Sequence, residues 1–328
     1  VDNAGQPVEK SLFDKRLLIF SGKGGAGKST VAAAVAVAAA RRGKRVLIVE
    51  IGDHERMPSL FGSEQSAGYA GARVSSPRAD VPPIWSMCLT APEALHELAL
   101  RSMKFEAFYD ALFENRVMRL FTAAAPGLDE LTIMGKIEFV HREQVAPAPG
   151  SRFDLMIFDA PPTGQGLAFF KVPLMAMSMA RLGPLYAKAE RMWRLVADPV
   201  DAAFNIVTLP EEMSVNEAID LHHAAAAIGL PPGRVIVNGV YPDLFADDEE
   251  ALARAGARRA APDDPSARVA MAACAAAVSF STRRHAQIAM IAKLAEVVAA
   301  PRITLPFLFG PRVGPAELAT LADSLDGL

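Results

Sequence analysis

The chain has 328 residues, 51% hydrophobic and 22% charged, with a net charge of −3. That composition excludes a disordered chain, and the slightly acidic balance gives no electrostatic basis for a nucleic-acid partner. Two cysteines far apart, Cys88 and Cys274, offer no disulfide or zinc framework and suit a reducing, cytoplasmic setting. The apolar runs are too short or too alanine-rich to span a bilayer, and the polar start from Val1 to Lys15 reads as no secretory signal.

The first element is a short apolar run, Leu17 to Phe20, which reads as a buried strand. Ser21-Gly22-Lys23-Gly24-Gly25-Ala26-Gly27-Lys28-Ser29-Thr30 follows, and Val31 to Ala40 reads as a helix ending before Gly43. Strand, glycine loop and helix give the G-x-x-x-x-G-K-S pattern the context of a phosphate cradle. The glycines permit positive φ and bring backbone N–H groups close to an anion. The helix N-terminus and Lys28 add positive charge, and the Ser29 hydroxyl stands where Mg²⁺ would bind.

Arg45 to Glu50 reads as a second strand, with Asp53 in the loop beyond it as the candidate that positions an attacking water. Residues 63–82 read as loop and Ile84 to Leu89 as a third strand. Thr90 looks like the cap of a helix, and helical patterning runs with breaks to Glu143, including an apolar series from Met103 to Phe121. Arg152 to Phe158 is a strand whose last apolar residue hands over to Asp159, the Walker B position for Mg²⁺. In the following loop, Gly164 and Gly166 supply freedom for a segment that senses the terminal phosphate.

Downstream, residues 167–198 are apolar and rich in methionine, with Met175 and Met179 on one helical face. Phe204–Leu209 and Arg234–Val237 read as strands flanking a helix from Glu211 to Ile228. Asp243 to Glu250 reads as an acidic loop, and alanine-rich helices occupy 251–260 and 268–300. A last short strand, Ile303 to Leu305, precedes Pro306-Phe307 and a helix from about Pro315 to Leu325. These elements predict one α/β domain over 1–328, a doubly wound and mostly parallel sheet, with helical insertions at about 91–145 and 167–198.

Lys23, immediately after the first glycine, makes the loop more specific. K-G-G-x-G-K-[ST] resembles the deviant Walker A loop of MinD, ParA, the nitrogenase iron protein and the arsenite-pump (ArsA)/guided-entry ATPases. Pro126-Gly127-Leu128-Asp129-Glu130, Asp159 through Gly164, Leu209-Pro210-Glu211-Glu212, Val237-Asn238 and Leu305-Pro306-Phe307 resemble, in order, landmarks of the arsenite-pump/guided-entry branch. The resemblance implies a dimeric, ATP- and Mg²⁺-binding ATPase in which Lys23 reaches the partner's nucleotide. It implies Glu211 as a contact to nucleotide across the interface, and Asn238 with Pro306 and Phe307 as the adenine site. It implies a homodimer, or a heterodimer with a paralogous subunit, that escorts an apolar protein client or meets a membrane-protein partner. The family's D-P-A-H after the second strand is replaced by Gly52-Asp53-His54. That shift raises the alternative of a slow or non-hydrolysing nucleotide-dependent scaffold. A metalloid-efflux role is disfavoured by the cysteine usage, and the missing C-x-x-C disfavours a zinc-bridged dimer.

Overall fold

The computed structural model describes residues 11–74, 82–102, 127–143, 153–258 and 264–326. Eight strands form one sheet: β1 (Leu17–Ser21), β2 (Val46–Ile51), β3 (Ala72–Val74), β4 (Ile84–Leu89), β5 (Leu155–Asp159), β6 (Ala202–Thr208), β7 (Pro232–Val240) and β8 (Arg302–Pro306). Their order is β3-β4-β2-β5-β1-β6-β7-β8, and every pairing is parallel except that of β3 with β4. Ten helices are described: α1 (Lys28–Arg41), α2 (Met57–Phe61), α3 (Ala91–Ser102), α4 (Leu128–Glu143), α5 (Thr163–Ala180), α6 (Pro184–Ala197), α7 (Glu212–Ala227), α8 (Asp247–Ala257), α9 (Pro265–Val297) and α10 (Pro315–Asp323).

The central strands are apolar on both faces because both faces are covered. On β1, Leu18 and Phe20 enter one core with α1 and α10, while Leu17 and Ile19 enter the other with residues of α4 to α7. That alternation is the period of two that a strand imposes. Helix α1 is alanine and valine from Val31 to Ala40, all of it buried. Small side chains let this helix lie between the sheet and α10 without a polar face, and its end is tied by Arg41 to Asp323 at 2.7 Å.

Among the polar residues that the sheet buries, one side chain bridges three strands. Asn205 on β6 is fully buried; its amide donates to the carbonyls of Ile19 and Ala203, and its oxygen accepts from the Arg234 N–H at 2.9 Å. The β6–β7 register shifts beside it, between Phe204 and Ile206. A side chain here completes backbone bonds that the irregular ladder leaves open.

Several boundaries differ from the sequence expectation. Residues 63–82 contain the short antiparallel strand β3, and α2 begins after Arg56. The acids read as loop at 247–250 form the first turn of α8, where the helix dipole favours them. The apolar series from Met103 to Phe121 lies outside the described residues. Besides α3, α4, α5 and α6, the long pair α8–α9 stands on the sheet's other flank, with only Ser281 and Leu294 of α9 buried. Among the described residues no helix is long and apolar enough to cross a membrane.

Replacing Asn205 with alanine removes the buried oxygen that accepts from the part-buried Arg234 N–H. We expect a loss of about 1–3 kcal/mol in urea unfolding with an unchanged m-value.

Candidate nucleotide-binding site

The glycine loop lies at the carboxyl end of β1, between β5 and β6, where the direction of winding reverses. Gly22 leaves the strand at φ +146°, and a Cβ there would lie 2.0 Å from the Val207 carbonyl oxygen, so only glycine fits. Gly25 and Gly27 both have φ +85°, and Gly27 caps α1 in the left-handed conformation. Gly24, Gly25, Lys28, Gly52, Asp53, Arg56 and Asp159 line a cavity of about 270 Å³. Ala26 is buried beneath it, and Ser29 and Thr30 occupy the first turn of α1.

Asp159 ends β5 beside this turn. Ser29 Oγ donates to its Oδ2 at 2.5 Å, and among the described residues its buried Oδ1 has no hydrogen-bond partner. A serine hydroxyl beside an unsatisfied carboxylate oxygen is an oxygen-only donor set that fits a hard divalent cation such as Mg²⁺. Burial pushes the Asp159 carboxyl above its usual range, against the Ser29 hydrogen bond and the charges of Lys28 and Arg56. Burial likewise draws Lys28 below its usual value, with Asp159 opposing and Arg56 adding to the fall. A cation and an anion, each desolvated, face the same space.

Lys23 does not enter its own cradle. Its ammonium pairs with Glu217 of α7 at 2.8 Å, while its carbonyl accepts from Lys28 Nζ at 3.3 Å. The other oxygen of Glu217 accepts from the Thr163 hydroxyl at 3.4 Å, and Thr163 N–H donates to Gly22 O at 3.2 Å. One carboxylate thus joins the glycine loop, α7 and the start of α5. Sequence reasoning missed Glu217, because a helix-surface glutamate six residues past Glu211 carries no local signal.

Gly164 and Gly166 lie within the first turn of α5. A Cβ on Gly166 would meet Pro161 O at 2.6 Å and Ser21 Oγ at 3.0 Å, so close approach to β1 is the reason for that glycine. After β2, Gly52 takes φ +127°, a conformation that an aspartate adopts only with strain, and the exposed Asp53 side follows it on the cavity wall. Glu211 precedes α7, is exposed and makes no capping hydrogen bond.

Asn238, Pro306 and Phe307, at the ends of β7 and β8, lie outside the lining of this cavity, and only Asn238 touches the glycine loop. Asn238 Nδ2 donates to Ala26 O at 3.0 Å, and a Cβ on Gly27 would meet that same nitrogen at 2.3 Å, so asparagine and glycine loop fit each other. Pro306 ends β8, and Phe307 N–H donates to Val240 O at 2.8 Å. The Phe307 ring packs edge-on to Tyr241 at 4.8 Å, and Tyr241 stacks on Phe280 of α9 at 4.9 Å. Phe309 completes the group and is largely exposed. Tyr241, Phe280 and Phe309 escaped the sequence reading because they converge from three separate segments.

Glu50, buried at the end of β2, accepts the N–H groups of Arg56 at 3.0 Å and Met57 at 3.2 Å. Burial pushes its carboxyl up to about 7, the two N–H groups oppose this, and the charges of Asp159 and Glu55 add to it. The folded state therefore holds this proton more tightly than the unfolded chain, so stability is greatest below the ordinary carboxylate range and falls as pH rises to about 7. Against Glu50→Gln in denaturant unfolding, the wild type should lose roughly 3 kcal/mol of relative stability between pH 4.5 and pH 8. Parallel pH profiles would contradict this account of Glu50.

The comparisons agree with this geometry. The family model of anion-transporting ATPases matches residues 15–182 and 175–261. ATPase BagA of Mycobacterium tuberculosis is 31% identical over 262 residues, covering 75% of this chain and 71% of that protein. ATPase GET3C of Arabidopsis thaliana is 25% identical over 284 residues, 72% of this chain and 70% of that protein. An arsenical pump-driving ATPase of Acidiphilium multivorum is 26% identical over 255 residues, 73% of this chain and 41% of its own length. A glycine cradle with Lys28, Ser29 and Asp159 in one cavity, inside a match that covers most of the sequence, leads to one conclusion: the chain belongs to the anion-transporting (ArsA) ATPase family and is an ATPase.

Proposed function

We propose that this ATPase works as a nucleotide-clamped dimer and couples its nucleotide state to the binding of an apolar protein segment. The observation that carries the reading is the placement of α5. Thr163, its first residue, is bonded to Gly22 and Glu217 at the cradle. Its far end presents Met175 and Met179, the latter 82% exposed, and the turn into α6 adds Leu182, 84% exposed, and Leu185. Eighteen residues of helix span about 27 Å, so one element, with Pro173 inside it, runs from the phosphate cradle to an apolar surface. Exposed methionine is flexible and polarizable, which suits apolar partners of varied shape.

In this reading the phosphates of ATP occupy the cradle of Gly24, Gly25, Ala26, Gly27, Lys28, Ser29 and Thr30. Adenine lies against Asn238, Pro306 and Phe307, and Glu211 faces the partner's nucleotide. Ser29 and Asp159 would hold Mg²⁺, which would neutralise phosphate charge. Asp53 orients a water whose oxygen bonds to the terminal phosphorus as the bond to the bridging oxygen breaks, leaving ADP and inorganic phosphate. Lys23 crosses to the partner's phosphates. It must first leave Glu217, and a half-exposed ion pair of that kind contributes about 1 kcal/mol or less, so the exchange is energetically modest.

A second reading, a slow or non-hydrolysing scaffold paired with a paralogous subunit, draws on Gly52. It takes φ +127°, and the acid stands one residue along, at Asp53. Phosphate release by the purified chain separates the two. Arsenite efflux, suggested by the pump relatives, draws less support: Cys88 on β4 donates to the Gly52 carbonyl, and Cys274 lies on α9, which packs against β7 and α7 rather than β4.

Lys28→Ala should abolish binding of a fluorescent ATP analogue. Lys23→Ala should keep binding yet lose on the order of 10²–10³ in kcat, as expected when a charge-stabilising group is removed. Light scattering with ATPγS should give twice the monomer mass, and a chain that stays monomeric when saturated would sink the clamp. The double substitution Met179→Asp with Leu182→Asp should weaken binding of a labelled transmembrane-helix peptide about tenfold or more while ATP hydrolysis persists. Undiminished peptide binding would move the client site elsewhere.

A further inference from the structure

Arg56 stands on the rim of the cradle, exposed on one side and lining its cavity on the other. Its Nη1 donates to Ser29 Oγ at 3.0 Å, and that same oxygen donates to Asp159 Oδ2 at 2.5 Å. Guanidinium, hydroxyl and carboxylate form one chain on a wall shared with Gly24, Gly25, Lys28 and Asp53. The hydroxyl's single proton is spent on Asp159, and Arg56 occupies a lone pair that a metal ion would need. Arg56 and a divalent cation are therefore competitors for Ser29 and for the charge of Asp159.

The backbone and the side chain of Arg56 are held very differently. Glu50 fixes the backbone by accepting from Arg56 N–H and Met57 N–H, and Met57 is buried. The guanidinium end is exposed and, among the described residues, makes no direct ion pair. An anchored backbone with a planar, permanently charged end that rests on one hydroxyl is suited to exchange one oxygen partner for another. Phosphate oxygens fit its fork of donors better than a single hydroxyl does.

We propose that Arg56 is a polyphosphate ligand supplied in cis, which holds the Ser29–Asp159 corner until a divalent cation displaces it onto the terminal phosphate. The proposal rests on the ATPase reading and adds to it a contact that distinguishes ATP from ADP. It also makes metal entry and recognition of the terminal phosphate two halves of one movement. Lys28 lies in the same cavity and remains with the phosphates throughout.

The test compares full-length wild type with Arg56→Ala by calorimetry, using ADP and ATPγS at saturating Mg²⁺. A Mg²⁺ titration at fixed fluorescent ADP gives the second readout. Because the side chain is exposed, the variant should keep the wild-type melting curve. Its preference for ATPγS over ADP should fall about tenfold, the scale of a charge-assisted phosphate contact. Its half-saturating Mg²⁺ concentration for ADP should fall at least about threefold, because a competing cation is gone. An unchanged value of either quantity in a variant that binds nucleotide overturns the proposal. A wild type that binds neither nucleotide removes the ATPase reading itself, which is a different result.

Discussion

The structure depends on one constraint: a lysine and an aspartate must both be taken out of water and kept facing an anion-sized space. Lys28 and Asp159 are 6% and 8% exposed. Either alone would be costly to bury. Adjacent parallel strands solve this, because β1 and β5 end at the same level, with Phe20 opposite Asp159. The glycine loop then turns its N–H groups inward, and α1 adds its dipole along the same line. Desolvation makes both groups poor at holding charge by themselves. It therefore makes a highly charged phosphate and its metal the natural completion of the site.

In the proposed reading that completion has to be communicated along α5, and the packing fixes where that helix is held. Phe169 and Phe170 pin α5 into an aromatic cluster with Phe158 and Phe204, rings 5.4 to 6.1 Å apart. Close packing of this kind resists gradual deformation of the first half of α5, and in the proposed reading a change at Thr163 would reach the exposed methionines across Pro173, which lies inside the helix. On the other flank, α9 grips the segment after Asn238. Gln287 bonds Gly239 O and Tyr241 N, and Arg284 bonds Tyr241 O and Asp243. The side proposed for adenine is braced by side chains, while the glycine-loop side is held by a few exchangeable contacts to Ser29 and Glu217.

How far the sequence spoke for itself follows from these distances along the chain. The sheet strands were legible because burial on both faces writes continuous apolar runs. The cradle was legible because three glycines, a lysine and a serine must be consecutive. The edge strand β3 and the short α2 were not, since three to five residues carry too little periodicity to register. Nor was the aromatic group of Tyr241, Phe280 and Phe309, which depends on how β7, α9 and the end of β8 converge. Glu217 belongs to the same class: its meaning comes from Lys23, nearly two hundred positions earlier.

Two of the cradle's cationic side chains, Lys23 and Arg56, are held by contacts that nucleotide binding would have to replace. Lys23 rests on Glu217, and Arg56 rests on Ser29. Both contacts are partly open to water, so each is weak enough to exchange. Lys28, by contrast, is buried and fixed. The arrangement separates binding from commitment: one charge is permanently in place for any nucleotide, and two wait at the rim. A diphosphate meets the first. In the proposed clamp, release of Lys23 would open it to a neighbouring subunit and release of Arg56 would free the Ser29–Asp159 corner, so the additional charge of a triphosphate would be what draws both away from their resting partners.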